Sequence, residues 1–177
     1  GRSGNIQTLD RNAQIQFVAD LEHSYLFIQG PPGSGKTCAA ASIILALIAA
    51  GKRVGVPAPR HRAIHNVLDE IERVARERGI TFTGHKKRSA SDETAFEGDF
   101  ITSVATNEEC EGSDAQLIAG TAWLFARKGM DQALDYLFID EAGQIALADA
   151  VAVGTSARNV VLLGDPSRAK KKLGWEP

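Results

Sequence analysis

Gly30-Pro31-Pro32-Gly33-Ser34-Gly35-Lys36-Thr37 fits the pattern GxxxxGK[S/T], and the residues on either side decide how it is read. Tyr25 to Gln29 is a short apolar run that stops at the first glycine, while Cys38 to Ala50 is long and rich in alanine, so the order is strand, loop, helix. In that order glycines let backbone N–H groups turn inward around an anion, and the helix aims its positive end at the same charge. Gly30, Pro31, Pro32, Gly33, Ser34 and Gly35 are therefore expected to cradle the phosphates of ATP. Lys36 should reach the β- and γ-phosphates, and the Thr37 hydroxyl should ligate Mg²⁺. Cys38, next in line, is placed beside the nucleotide as a small packed residue. The plain alternative is an ordinary Gly/Pro turn, which the flanking strand and helix argue against.

Working outward, Arg53 to Val56 reads as a second strand ending at Pro57. His61 to Arg78 sets Ile64, Val67, Leu68, Ile71, Val74 and Ala75 at helical spacing with charges opposite, an amphipathic helix. Gly84 to Gly98 is polar, basic and then acidic without period, and is expected to be a surface loop. Short strands are expected at Phe100 to Thr102 and Gln116 to Gly120, and a helical turn at Asp131 to Asp135. Tyr136 to Ile139 and Val160 to Leu163 are near-continuous apolar runs ending at an acidic residue or a glycine, the mark of strands buried on both faces of a parallel sheet. Helices alternating with such strands predict an α/β domain, mainly parallel, with helices on both faces and ligands at the carboxyl ends of the strands.

The 177 residues suit one domain, and 44% hydrophobic with 24% charged residues is unlike a disordered chain. A net charge of −2 gives no overall field for nucleic acid, so any such surface must be local: Lys52 to Arg62, His85 to Arg88 or Arg168 to Lys172. Cys38 and Cys110 form neither a disulfide framework nor a CxxC site, which points to a reducing, cytoplasmic setting. The apolar run Cys38 to Ala50 is shorter than the roughly 18 residues of a membrane span, so no membrane is expected. The chain opens Gly1-Arg2-Ser3 and is expected to be a piece of a longer protein; a monomer is the expected state.

Tyr136-Leu137-Phe138-Ile139-Asp140-Glu141 delivers two adjacent carboxylates at the end of an apolar strand. With the phosphate loop upstream, Asp140 is expected to hold the metal, and Glu141 to orient and deprotonate the attacking water. A strand ending in Asp-Glu at a surface turn is the structural alternative.

Asp140-Glu141-Ala142-Gly143-Gln144 resembles the second motif of superfamily I helicases, in the branch marked by DEAGQ. Gly120-Thr121 fits the short Gly-Thr element that lies between the first two motifs. Leu163-Gly164-Asp165-Pro166 fits the opening of the third. Gly120 to Arg127 and Leu137 to Ala150 look like the helicase half of bacterial proteins that join a RecB-like nuclease to such a helicase. The resemblance implies a RecA-like P-loop domain, the first motor domain of an ATP-dependent DNA helicase, possibly within a nuclease/helicase protein. It makes Gln144 a γ-phosphate sensor, Asp165 a link between nucleotide and nucleic acid, and Gln14, with Gln16 as neighbour, the reader of adenine. It also places a nucleic-acid contact on the loop Pro57 to His65, where Arg60 and His61 supply charge, with Thr121 adding a backbone contact. Trp123 is read as a core residue in preference to a base-stacking one.

From Ser167 the sequence departs: Ser167-Arg168-Ala169-Lys170-Lys171-Lys172-Leu173-Gly174-Trp175 lacks the glutamine pair of the third motif and resembles the tail of nucleotide-sugar dehydratases and epimerases. Residues 1–166 are therefore expected to be the motor domain and 167–177 an atypical tail, cut off before a second RecA-like domain. Arg60 departs too, since a small polar residue is usual there. Three other readings stay open: an RNA helicase motor domain, a nucleotide kinase, and a nucleotide-binding fragment with little activity alone.

Overall fold

A strand that is apolar on both faces has to be covered on both, and this chain meets that demand with a central sheet between two layers of helix. The computed structural model describes residue 8 and residues 10–30, 33–90 and 94–165. Pro31, Pro32 and the tail 167–177 lie outside the described residues. Seven strands, β1 (Tyr25–Gln29), β2 (Val54–Ala58), β3 (Gly84–Lys87), β4 (Ile101–Val104), β5 (Leu117–Thr121), β6 (Leu134–Ile139) and β7 (Ala157–Gly164), form one sheet in the order β1-β7-β6-β2-β5-β3-β4. Every pairing between these strands is parallel.

Helices α1 (Arg11–Ala19), α2 (Lys36–Ala49) and α3 (His61–Arg78) cover one face, where Val18, Ile44 and Leu68 share a core with Val56, Tyr136 and Phe138. The short helices α4 (Glu108–Glu111) and α5 (Ala122–Phe125), with α6 (Leu147–Gly154), cover the other, where Cys110, Phe125 and Val153 join Ile118, Leu137 and Ile139. Tyr136 and Phe138 thus face one core and Leu137 and Ile139 the other, as the pleat requires. The six apolar positions read from α3 are all buried, and Gly79 ends that helix in the left-handed conformation (φ 64°).

Three expectations shift. β2 runs through Pro57 instead of ending there; pairing with β6 stops at Gly55, so proline removes no donor from that ladder. The turn expected at Asp131 to Asp135 falls earlier, as a 3-10 turn at Lys128–Met130, and Leu134 already belongs to β6. The largest correction concerns Gly84 to Gly98, whose first four residues are the strand β3 between β5 and β4. Its charge hid it: Lys86 is fully buried, and its ammonium donates to the Thr94 carbonyl and to His61. Among the described residues no helix is long and apolar enough to cross a membrane.

Strand order sets up the functional edge. β1, β7 and β6 end side by side, while β2, β5 and β3 end together further along the same edge. Residues far apart in sequence are thereby gathered into two clusters at the carboxyl ends.

Candidate functional site

The first cluster follows β1, β6 and β7. Gly33 and Gly35 take φ values of 77° and 75°, which glycine adopts without steric cost, and this turns the loop into the start of α2. Lys36 reaches back along the loop and donates to the Gly30 carbonyl at 2.6 Å. Next to it the Thr37 hydroxyl donates to Oδ2 of Asp140 at 3.4 Å. The other carboxylate oxygen of Asp140 accepts the Glu141 backbone N–H at 2.7 Å. That bond accompanies a left-handed Glu141 (φ 51°, ψ 42°), a conformation that costs a side-chain-bearing residue about 1 kcal/mol. Gln144 donates its side-chain amide to Oε2 of Glu141 at 2.7 Å. Lys36, Asp140, Glu141, Gly143, Gln144, Gly164 and Asp165 line a cleft of about 240 Å³. An ammonium, a hydroxyl, two carboxylates and an amide thus surround one opening at the N-terminus of a 14-residue helix, which suits a polyphosphate and a hard cation.

Cys38 is half-buried on α2, and its sulfur accepts a weak hydrogen bond from Arg73 at 3.8 Å. Gln14 lies on α1 outside this cleft; its amide nitrogen donates to the Thr8 carbonyl at 3.0 Å, and its buried Oε1 accepts nothing among the described residues. Gln16 is exposed, and its side-chain amide nitrogen donates to Oδ1 of Asp20 at 2.7 Å.

The second cluster follows β2, β5 and β3. His61, Lys87, Arg88, Ser89, Asn107, Thr121, Trp123, Leu124 and Arg127 line a cleft of about 390 Å³. His61 and Thr121 are brought together here as the sequence suggested, whereas Arg60 is exposed at the N-cap of α3 and does not line the cleft. Trp123 is not a core residue: 85% of it is exposed, because α5 turns Leu124 and Phe125 inward and leaves the indole outside. Of the wall, Lys87 and Arg88 belong to a basic stretch visible in the sequence, Arg127 ends the stretch Gly120 to Arg127 without having been singled out, and Asn107 carried no signal. Arg127 is partly neutralised by its ion pairs to Glu108 and Glu111. Burial, then the charges of Lys86, His65 and Lys87, hold His61 below the usual histidine range.

Residues 10–170 match the family model described as AAA domain. The chain belongs to the AAA domain family. This AAA domain is 26% identical over 161 residues to the DNA replication ATP-dependent helicase/nuclease DNA2 of Saccharomyces cerevisiae, a match covering 89% of the chain and 10% of that protein. The chain therefore spans about a tenth of the length of that relative. Among solved structures the AAA domain is similar to a nuclease-deletion mutant of the Type ISP restriction-modification enzyme LlaGI in complex with a DNA substrate mimic. There the TM-score is 0.57 at 14% identity, over 86% of this chain and 16% of that one. It is also similar to the UvsW helicase from Bacteriophage T4, with a TM-score of 0.53 at 10% identity, over 89% of this chain and 61% of that one. These likenesses establish the α/β P-loop, RecA-like fold of helicase motor domains that the sequence predicted.

Proposed function

We propose that this AAA domain is the ATP-hydrolysing first motor domain of a superfamily I DNA helicase, within a larger nuclease/helicase protein. The observation that carries the reading is the convergence of Lys36, Thr37, Asp140, Glu141 and Gln144 on one cleft. Lys36 exchanges its bond to the Gly30 carbonyl for the β- and γ-phosphate oxygens, and the loop amides hold the remaining phosphate charge. Thr37 and Asp140 stand 3.4 Å apart, near the roughly 3 Å between neighbouring oxygens around an octahedral Mg²⁺. They are the residues that would hold that ion, which supplies charge neutralisation at the phosphates. Among the described residues no group of three or more His, Cys, Asp or Glu side chains is gathered for a metal. Further ligands would therefore come from nucleotide and water, as is usual for Mg²⁺.

Glu141 is the base that orients and deprotonates the attacking water. Gln144, bonded to that carboxylate, is placed to report a γ-phosphate to it, and Asp165 on the same rim connects this cleft to the end of β7. Gln14, with its open acceptor, is assigned to the adenine edge, which offers an N–H to such an oxygen. The second cleft is assigned to single-stranded nucleic acid: Lys87, Arg88 and His61 meet phosphates, Thr121 adds a contact, and Trp123 stacks on a base. DNA is preferred over RNA because the curated relative is named a DNA replication helicase. Without an arginine supplied by a facing domain, these 177 residues alone should turn ATP over slowly.

Glu141→Gln tests the assignment, since the amide keeps the size of the side chain but cannot take a proton. ATP binding should persist while single-turnover hydrolysis falls by about 10²-fold or more. Wild-type protein that binds no adenine nucleotide, or an E141Q variant that hydrolyses as well as wild type, would overturn it.

A further inference from the structure

Lys86 is among the largest fully buried side chains of the described residues. A lysine on an interior strand of a sheet is costly to bury, and an aliphatic residue would fill the space without desolvating a charge. Its surroundings point to a use. The ammonium donates to the Thr94 carbonyl and lies 3.0 Å from Nδ1 of His61, and His61 in turn lines the basic cleft. Burial, and next the charge of Lys87, lower Lys86 to about 8, so it is still cationic at neutral pH. An ammonium has three protons and no lone pair, so the ring nitrogen facing it must be the acceptor. In a neutral imidazole the proton then sits on Nε2, on the far side of the ring.

We propose that Lys86 is a positioning residue that fixes His61 in the Nε2–H tautomer, so that His61 meets the nucleic-acid backbone in the cleft as a neutral hydrogen-bond donor rather than as a cation. The inference rests on assigning that cleft to single-stranded nucleic acid. The groups acting on His61 favour the neutral ring: Lys86 and Lys87 from β3 and His65 from α3 all oppose a further positive charge. His65 lies with Nε2 3.4 Å from the same Thr94 carbonyl that Lys86 holds, so the two basic side chains share one acceptor beneath the cleft. A neutral donor adds direction to phosphate recognition without displacing a counterion. Lys87 and Arg88 at the rim supply the charge, and His61 supplies register.

The tautomer and the salt dependence can be read separately. In the full 177-residue chain labelled with ¹⁵N-histidine, long-range proton–nitrogen correlation at pH 7 should show His61 protonated at Nε2 and bare at Nδ1, and Lys86→Met should release it to a mixture. Titration of a fluorescein-labelled oligothymidylate should show His61→Ala binding roughly tenfold more weakly. The slope of log affinity against log salt should stay as in wild type, whereas loss of a cationic contact would lower it by about 0.7. His61→Gln, which keeps a neutral N–H donor, should recover much of the loss, and the K86M/H61A double variant should bind no worse than H61A alone. An Nδ1–H or imidazolium His61 in the wild type, or a reduced salt slope in H61A, overturns the inference even if DNA binds. Should K86M fail to fold, the wild-type tautomer and the H61A and H61Q slopes still decide. Wild-type protein with the expected tautomer that binds no oligothymidylate at low salt overturns the assignment of the cleft, and the inference with it.

Discussion

The hydroxyl of Thr37 lies 3.4 Å from Oδ2 of Asp140, although 103 residues separate them in the chain. β7 lies between β1 and β6, so the loop after β1 and the carboxylate after β6 meet across the end of one strand. Asp140→Asn keeps an oxygen for the Glu141 N–H but removes the charge that would face a cation. Mg²⁺-dependent affinity for a fluorescent ATP analogue should fall by about tenfold or more, while affinity measured with excess chelator stays near wild type. Equal losses with and without the metal would remove Asp140 from the metal site.

Trp123 presents 85% of its surface to water beside Lys87, Arg88 and Thr121. Its removal costs the fold little, since substitutions at exposed positions usually change stability by within about 0.5 kcal/mol. A stacked base contributes about 1–3 kcal/mol. Trp123→Ala should therefore weaken oligothymidylate binding by roughly tenfold without moving the urea midpoint. A lowered midpoint with unchanged affinity would make the indole a packing residue after all.

What could be read from the sequence was whatever carries a period or a fixed spacing. α3 shows its buried face in the positions of Ile64, Val67, Leu68, Ile71, Val74 and Ala75, and Gly30 to Thr37 and Asp140 to Gln144 are contiguous motifs. β3 was not legible because its two buried residues are a glycine and a lysine, and the partners of that lysine, His61 and Thr94, are known only once the chain is folded. Trp123 was misread because large aromatics are usually buried, and no local pattern says that α5 turns its indole outward. The basic cleft draws on four separate segments, so Asn107 and Arg127 join it only through tertiary structure.

Glu72, 2% exposed on α3, accepts the backbone N–H groups of Asp99 (3.2 Å), Phe100 (3.0 Å) and Ile101 (3.1 Å), and so fixes the entry to β4. Glu72→Ala leaves those donors without their acceptor, at about 1–3 kcal/mol for each one that stays dry. Chemical denaturation should show a loss on the order of 3 kcal/mol, with Glu72→Gln, which keeps one acceptor oxygen, losing less. A loss below about 0.5 kcal/mol, the range of an ordinary surface substitution, would show that water replaces the carboxylate there.

Lys86 gives the fold a specific alkaline signature. Burial, and next the charge of Lys87, push its pKa down to about 8 from the ordinary lysine value of 10.5, so between those limits the unfolded state binds more protons and stability contributed by this residue rises with pH. Below pH 8 both states are protonated and the burial cost is fully present; above pH 10.5 both are neutral and it is gone. Other groups titrate in the same range with the opposite sign. Burial raises Cys110 to about 11, and burial with the nearby charges of Asp135 and Asp20 raises Tyr136, so each costs stability as the unfolded thiol or phenol ionises. The quantity to measure is therefore the unfolding free energy of wild type minus that of K86M, which shares those groups. It should climb by on the order of 2 kcal/mol from pH 8 to pH 10 and be flat from pH 6 to pH 7. A difference that is level across the alkaline range would mean that the ammonium keeps its ordinary proton affinity, and that hydrogen bonds to Thr94 and His61 repay its burial in full.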